Sequence, residues 1–477
     1  MSGEFDVIVT GDTIINNRVS VCQNPEFLEV VELLRGADVV HTQLETSIHE
    51  FGRAETYPAV ESAWSWFRSD RYVADELRWL GVDVVSTASN HSLDYSYGGL
   101  RQTWAALEGA GIPHAGTGED LGDARLPAFL DTPHGRIALV SACSSIPMFA
   151  RAGAFRVDMA GRPGVNPLRY YHTVDQSTAD GMIELARKLG YWVTVIGDEF
   201  AVNPPGLHNT LWRFAVSDTP GVTTVPDQDD LNGYTAAIRH GLDQADFVMA
   251  HLHTHEWDAR FGLLSRSDAF VETWAHAAVD AGAHLVVAQG SHAPIRGIEI
   301  YHGRPIFYDP GDLFVMGGRG ERQPQDYYMR WGYGPEAREL GAGLPEVRVA
   351  RQRVSLGGLA GEQQPHSGGE GEGGGEQESA PSRATVASPA HSGYSDDPGF
   401  FIPRCTVNAD FTVNHITIHP AVWLTGHRSE AGLPAIATGQ RAQEILAHLS
   451  DLCEPYGTKL RIDGDLAHID LAHDSRT

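Results

Sequence analysis

Hydrophobic positions along the chain form short runs of strand length that alternate with longer runs of helical period. The strand-like runs occupy residues 5–10, 38–43, 82–88, 136–142, 192–197, 246–253, 284–290 and 304–309. The helix-like runs, in which apolar residues recur at i, i+3, i+4 and i+7, occupy residues 25–36, 71–81, 98–111 and 271–283. Strands that alternate with amphipathic helices are typical of layered α/β domains, so the pattern predicts that class.

The pattern changes after the first 355 residues. Residues 356–398 are rich in Gly, Glu, Ser and Pro and offer little to a core, which predicts a flexible linker. Strand pattern then returns, and residues 400–424 have the pattern of a hairpin with its turn near Asp410. A helical pattern follows it. One hairpin and one helix bury too little to fold alone, so residues 399–477 are expected to complete a core domain at 1–355.

Composition limits the classes of partner. The chain has 477 residues and a formal net charge of -27. Such a surface repels nucleic acid and anionic lipid, so we expect neither as a partner, although a metal site can still attract an anionic substrate. The first residues lack the pattern of a secretory signal, and no run of 18 apolar residues predicts a transmembrane segment, so a cytoplasmic protein is expected.

Polar residues that can bind a metal ion follow several of the predicted strands. They are Asp12, Glu45, Asn90, His91, His251, His253, His255, Glu256, His292, Asp309 and Asp312. Each alone also fits a structural role, but the carboxyl ends of strands in α/β sheets gather at one crevice. Carboxylate, amide and imidazole donors together suit one or two divalent ions such as Mn, Fe or Zn. Glu45 is a candidate to bridge two ions, and His91 is a candidate proton donor.

Several segments carry a resemblance to a known family. They are residues 9–14, 43–46, 89–118, 163–169, 252–257 and 280–314, together with the tail near 420–458. In these segments the chain resembles the CapA-like proteins of capsule or poly-γ-glutamate synthesis, a branch of the calcineurin-like metallophosphoesterase superfamily. The Asn90-His91-x-x-Asp94-Tyr95 stretch with its following helix is a specific match, and so is the Gly-Ser-His segment at 290–292 with the Ile-Phe-Tyr strand that follows it.

The resemblance implies a fold, a metal centre and a catalytic acid. The implied fold is a four-layer α/β/β/α metallophosphoesterase-like sandwich, completed by the C-terminal hairpin and helix. The implied metal ligands are Asp12, Glu45, Asn90, His253 and His292, and the implied general acid is His91.

The chain departs from the family pattern near these ligands. Pro294 stands where the family usually has a second histidine, and Thr254-His255 replaces a usual Trp-Gly. Asp312 stands where the family has Asn. The centre therefore either holds fewer ions or is completed by His251 or His255.

Three functions are compatible with these residues. The first is a metal-dependent hydrolase that acts on a phosphoester or γ-glutamyl/amide bond of a small-molecule or polymer substrate. The second is γ-glutamyl or amide transfer in polymer (poly-γ-glutamate or capsule) or natural-product biosynthesis. The third is a non-catalytic assembly or binding protein with a partly eroded metal site. Candidate substrate contacts are Tyr57, Arg18, Arg296 and Tyr95.

Overall fold

The computed structural model of the chain describes most of the protein. The described residues are 3–52, 55–62, 65–206, 212–218, 221–258, 266–292, 295–316, 322–330, 399–425 and 429–471. The predicted linker at 356–398 lies outside the described residues, and so does Pro294.

Strands and helices alternate through most of the chain, as the hydrophobic pattern predicts. The strands are β1 (Phe5–Ile14), β2 (Val39–Leu44), β3 (Ser47–Ile48), β4 (Arg68–Ser69), β5 (Val84–Ser86), β6 (His114–Ala115), β7 (Thr117–Gly118), β8 (Ala128–Thr132), β9 (Gly135–Cys143), β10 (Gly164–Val165), β11 (Tyr170–Val174), β12 (Trp192–Ile196), β13 (Glu199–Asn203), β14 (Trp212–Val216), β15 (Val222–Pro226), β16 (Phe247–His253), β17 (Leu285–Gln289), β18 (Ile298–Tyr301), β19 (Arg304–Phe307), β20 (Phe314–Val315), β21 (Phe400–Val407), β22 (Val413–Trp423), β23 (Pro434–Ile436), β24 (Arg461–Asp463) and β25 (Leu466–Asp470). The helices are α1 (Pro25–Arg35), α2 (Tyr72–Leu80), α3 (Ser96–Gly109), α4 (Leu121–Ala124), α5 (Gln176–Lys188), α6 (Gln228–Leu242), α7 (Ala269–Asp280), α8 (Gln325–Arg330) and α9 (Gly439–Cys453). The mixed α/β class is confirmed.

Helix starts follow local capping chemistry. The Asn24 side chain accepts hydrogen bonds from the first turn of α1, which also has Pro25 at its start. Asp227 and Asp268 do the same for α6 and α7. These side chains satisfy backbone N–H groups that a helix leaves unpaired, which fixes where each helix begins.

The largest sheet joins the two ends of the chain. Its strand order is β24-β25-β22-β21-β1-β2-β5-β6, with β20 beside β1 and β23 beside β22. The strands β1, β2, β5 and β6 are parallel, whereas β21 pairs antiparallel with β1. The predicted hairpin is confirmed as β21 and β22, and it extends the sheet that β1 begins.

A six-stranded sheet has the order β18-β19-β17-β16-β9-β8, and β9, β16, β17 and β19 are parallel. On one face, Val140 and Val248 pack with Tyr234 of α6 and Trp274 of α7. Alternate residues such as Met249 belong to a core that includes residues of the largest sheet and of α1, α2 and α9. Burial on both faces explains why its parallel strands are continuous apolar runs.

A separate five-stranded sheet occupies residues 170–226. Its order is β12-β13-β14-β11-β15, and α5 packs on it through Ala179 and Ala186. Of this sheet, the hydrophobic pattern predicts only the strand at 192–197. The short strands β3 and β4 form one small pair, and β7 and β10 form another.

Of a second compact unit, the structure describes residues 65–66 and 322–330. Its described part is small and includes α8. There the Trp66 N–H donates to Gln323 Oε1 at 3.0 Å, and Gln323 Nε2 donates to the Trp66 carbonyl at 2.8 Å. Within the described ranges of the whole chain, no helix has the length and apolar character needed to cross a bilayer.

We predict that Gly11→Ala strongly destabilises the protein. A Cβ on Gly11 would lie 1.9 Å from the carbonyl oxygen of Gly311, so the backbone at one of these positions must move. The expected loss is about 3 kcal/mol in the free energy of unfolding, measured by urea denaturation. Gly109→Ala is the control, because a Cβ there meets nothing within 4 Å. It should be neutral or stabilising by up to about 1 kcal/mol. Equal stability of the two variants would contradict the close approach.

Candidate metal centre

Two buried carboxylates lie at the carboxyl ends of neighbouring parallel strands. The pairing of β1 with β2 slips by one residue between Val9 and Asp12, which is the signature of a β-bulge. A bulge changes the direction of the side chains that follow it, and Asp12 is one of them. Glu45 comes directly after β2. Both side chains have no exposed surface.

Three histidines from the six-stranded sheet converge on these carboxylates. Glu45 Oε1 lies 3.4 Å from His253 Nε2, 3.8 Å from His255 Nε2 and 3.6 Å from His292 Nε2. Asp12 lies 3.5 Å from His253 and 3.6 Å from His292, measured from carboxylate oxygen to Nδ1. His253 ends β16, and His292 follows β17. The parallel strands of both sheets therefore bring their carboxyl ends to one place, as expected for an α/β ligand site.

The loop that carries His292 is held by two aspartates. His292 has a φ of 64°, a left-handed conformation that is uncommon outside glycine and asparagine and that costs energy. Asp309 Oδ2 accepts hydrogen bonds from the N–H groups of Gly290 and Ser291 just before it. Asp312 Oδ2 lies 3.2 Å from His292 Nδ1. These contacts orient the ring so that Nε2 points to Glu45.

Asn90 reaches the same cluster from the turn after β5. Its Oδ1 lies 2.9 Å from His253 Nε2, and Ser89 Oγ donates to the same oxygen at 3.0 Å. The turn is fixed by Ser92, whose hydroxyl accepts from the Ser89 N–H and donates to the Thr87 carbonyl. The amide oxygen is thus directed at the centre.

The donor set fits a divalent cation. None of the four carboxylate oxygens of Asp12 and Glu45 has a hydrogen-bond partner within the described part of the chain, although all are buried. Buried carboxylates are costly unless cations or donors compensate them. Two groups of three residues have ligand atoms within 4.8 Å of one another, Glu45-His253-His255 and Asp12-Glu45-His292. Oxygen and imidazole donors in this mixture suit Mn, Fe or Zn.

The electrostatics show how strongly these groups interact. Burial, and then the charge of Glu45, raises the pKa of Asp12 above its ordinary value. Burial opposes ionisation of Glu45, but His292 and His253 outweigh it and hold its pKa well below the usual range. Burial acts to lower the pKa of His253, yet Asp12 and Glu45 raise it to about 10. The carboxylates therefore attract positive charge to this point.

His91 lies at the edge of the cluster with its ring fixed from two sides. Its Nδ1 is 2.6 Å from Asp94 Oδ2, and its ring stacks on Phe67 with centroids 4.1 Å apart. Its Nε2 is 4.0 Å from Glu45 Oε1. Asp94 also accepts the Phe67 backbone N–H at 2.6 Å, so one carboxylate contacts both residues. Nε2 is therefore the ring nitrogen that faces the cluster.

A cavity of about 1370 Å³ opens beside Asn90. Near the cluster it is lined by Ser62 and Glu256, and further away by residues of the five-stranded sheet. Glu256 Oε2 accepts hydrogen bonds from Ser144, Ser145 and Thr254. The cavity is large enough for a substrate to reach the cluster.

A model of the family described as "Bacterial capsule synthesis protein PGA_cap" matches residues 6–316, more than half of the chain. The chain belongs to this family. The match spans β1 to β20 and so includes Asp12, Glu45, Asn90, His253 and His292.

Individual relatives are distant. Two proteins of Sinorhizobium fredii, uncharacterized y4sH and y4uA, are each 28% identical over 98% of this chain and 93% of their own length. A protein of Mycobacterium tuberculosis named "Probable polyglutamine synthesis accessory protein" is 28% identical over 48% of this chain and 44% of its own length.

In this PGA_cap chain, His251 is not in either ligand group. Its Nδ1 lies 3.0 Å from Ser141 Oγ and its Nε2 lies 3.2 Å from Gln289 Nε2. Its ring is 5.3 Å from that of His41, deeper between the sheets. His255 is instead the histidine that joins Glu45 and His253. This placement favours His255 over His251 as the extra ligand.

The four candidate substrate contacts are absent from the described residues that line the cavity. Arg18 pairs with Glu76 at 3.2 Å, and the Tyr57 side chain is exposed. Tyr95 is buried against His49, with ring centroids 4.3 Å apart. Arg296 is buried and donates to Ser267 and to the Glu256 carbonyl, so it braces the loop after β16.

Two polar residues that contact the histidines of the centre, Asp94 and Gln289, are not among the candidates that strand ends suggest, whereas Asp312 is. Asp94 orients His91, and the only indication of this contact in the sequence is that the two residues are three positions apart. Asp312, which follows the predicted strand at 304–309, orients His292. Gln289 Nε2 lies 2.9 Å from His253 Nδ1. Metal-binding histidines commonly have such partners on their other nitrogen.

We predict that His255→Ala weakens metal binding. The variant removes one member of the Glu45-His253-His255 group. Mutation of a residue that only contacts a metal ligand already lowers metal affinity about tenfold or more, so the affinity for Mn²⁺ or Zn²⁺ should fall by more than about tenfold here. A competition titration with a fluorescent chelator measures it. His251→Asn is the comparison and should retain metal. Loss of affinity in His251→Asn alone would assign the extra ligand to His251.

Proposed function

We propose that the protein is a metal-dependent hydrolase that acts on a phosphoester or γ-glutamyl/amide bond. The observation that carries the proposal is the placement of the His91–Asp94 pair beside a buried cluster of carboxylate, amide and imidazole donors. A binding protein needs no proton donor held at the edge of such a cluster. The cavity beside Asn90 supports the same reading because it connects the cluster to a space for substrate.

The proposed fold is a four-layer metallophosphoesterase-like sandwich. Two observations support this order of layers. The helices α6 and α7 pack on one face of the six-stranded sheet, and residues of its other face share a core with the largest sheet. The helices α1, α2 and α9 contribute to that second core. In this arrangement the two sheets present their parallel strand ends together.

Each residue has a proposed task. Asp12, Glu45, Asn90, His253, His255 and His292 would hold one or two ions of Mn, Fe or Zn. A bound divalent cation supplies Lewis acidity, which polarises a carbonyl or phosphoryl group and makes water more acidic. His91 donates a proton from Nε2 to the leaving group, because Nδ1 is engaged by Asp94. Asp94 keeps the ring in this orientation.

The names of the family and of one relative narrow the choice of the bond that is broken. One relative is named for polyglutamine synthesis, and the family for capsule synthesis, which together favour an amide bond of a polymer over a simple phosphoester. Both bond types pass through an oxyanion that a cationic centre stabilises. Transfer to an amine would use the same residues.

The test is an assay of purified protein reconstituted with Mn²⁺ or Zn²⁺. The substrates are bis-p-nitrophenyl phosphate and γ-glutamyl-p-nitroanilide, each with and without glycylglycine as acceptor. Metal-dependent release of chromophore that His91→Asn abolishes supports the proposal. Release that needs the acceptor assigns transfer instead of hydrolysis. A metal-loaded protein that turns over neither substrate would contradict hydrolysis of these two bond types.

A further inference from the structure

The far wall of the cavity beside Asn90 is rich in arginine and aromatic residues. The arginines are Arg151, Arg162, Arg169 and Arg213, and the aromatic residues include Phe149, Tyr170, Tyr171 and Phe214. This wall belongs to β11, β14 and the segment around 146–162. It contrasts with the chain as a whole, whose formal net charge is -27.

Two of the four arginines are neutralised within the wall. Arg169 binds Asp230 through two nitrogens, at 2.6 and 3.0 Å. Arg213 binds Glu199 at 2.7 Å and Asp227 at 2.9 Å, and its guanidinium lies over the Tyr171 ring. These pairs fix the shape of the wall, and their charge is already balanced.

Arg151 and Arg162 are different. Neither forms an ion pair with any residue in the described ranges, and Arg151 Nε is buried with no hydrogen-bond partner there. Arg162 Nε donates to the Arg151 carbonyl at 3.0 Å, which keeps the two residues adjacent. Burial, and then the nearby charge of Arg169, lowers the pKa of Arg151 from its ordinary value. Asp230 and Asp227 act in the opposite direction on that pKa, but neither of these carboxylates forms an ion pair with Arg151. Two neighbouring arginines that have no direct ion-pair partner in the described ranges favour the binding of an anion.

We propose that Arg151 and Arg162 form a subsite for an acidic oxyanion group of the substrate, remote from the bond that is broken. The substrate would be an extended acid, with one end at the candidate metal centre and a carboxylate or phosphate at this subsite. Its less polar part would lie along the aromatic wall. Guanidinium groups suit this task because their fork of N–H donors matches both oxyanions. The inference rests on the proposed function only in placing the scissile bond at the metal centre.

The experiment is isothermal titration of the Mn²⁺-loaded full chain with γ-glutamylglutamate and, separately, with inorganic phosphate. Arg151→Gln and Arg162→Gln should each weaken binding by roughly tenfold, since each removes a charge-assisted contact. Arg156→Gln is the matched control. It removes the same charge from the same segment, but Arg156 pairs with Asp158 on the surface and does not line the cavity. It should change affinity less than about twofold.

The outcomes separate the ligands. A loss confined to γ-glutamylglutamate supports a carboxylate subsite, and a loss confined to phosphate supports a phosphate subsite. Equal affinities in Arg151→Gln, Arg162→Gln and Arg156→Gln would overturn the proposal. Arg162 is exposed, so Arg162→Gln remains informative if Arg151→Gln does not fold. If the protein binds these ligands through Arg151 but hydrolyses neither test substrate, the proposed function is contradicted and the proposed subsite is supported.

Discussion

Glu45→Gln should abolish the stabilisation that Mn²⁺ or Zn²⁺ gives to the wild-type protein. Glu45 Oε1 lies within 4.0 Å of four imidazole nitrogens, and the residue belongs to both ligand groups. A ligand at a hundred times its Kd stabilises a protein by about 2.7 kcal/mol. Thermal unfolding with and without metal measures this difference. The wild type should gain stability on addition of metal, and Glu45→Gln should gain none.

Glu108→Gln is the control for the loss of a carboxylate, because Glu108 is exposed on α3. It should keep the full metal-dependent gain. If Glu45→Gln kept that gain as well, the cation would bind elsewhere. The assignment of Glu45 at the centre would then be wrong.

His91→Asn should leave metal binding intact and remove most of the turnover. The side chain of His91 is held by Asp94 and Phe67, and it donates a proton in the proposed reaction. General acid catalysis contributes roughly 10²- to 10⁴-fold, so kcat should fall by that order. Asn90→Ala should behave differently, because it removes an amide oxygen that is directed at the cluster. It should weaken metal binding first, and activity should recover at high metal concentration.

His240→Asn is the control for the loss of an imidazole, since His240 is exposed on α6. It should change neither property. Equal metal affinity and equal activity in His91→Asn and Asn90→Ala would remove the division of tasks between these neighbours.

Much of this architecture follows from local pattern. Buried parallel strands are continuous apolar runs, so β1, β9, β16 and β17 stand out in the sequence. The residues at their ends then identify the centre, because strand ends in such sheets converge. The direction of the Asp12 side chain depends on a bulge in β1, and the hydrophobic pattern of the sequence does not reveal that bulge. The sequence therefore identifies Asp12 as a candidate ligand but does not show where its side chain points.

Other parts required the tertiary structure. The partner of His91 is decided by the conformation of one turn, and the partner of His292 by a segment beyond the next strands, near Asp312. His251 lies within β16 and His255 lies two residues beyond its end, and residue alternation alone cannot choose between these two positions. The role proposed for Arg151 depends on a cavity whose walls come from segments far apart in the sequence. Such relations arise from packing between segments far apart in sequence.

The most direct test of the central claim is the metal content of the purified protein after reconstitution with Mn²⁺ or Zn²⁺. Inductively coupled plasma mass spectrometry gives moles of each metal per chain, with Glu45→Gln treated in parallel. We expect at least one ion per wild-type chain and the loss of that ion in the variant. Two ions would support completion of the centre by His255. A wild-type chain that binds no more metal than Glu45→Gln would contradict the metal centre.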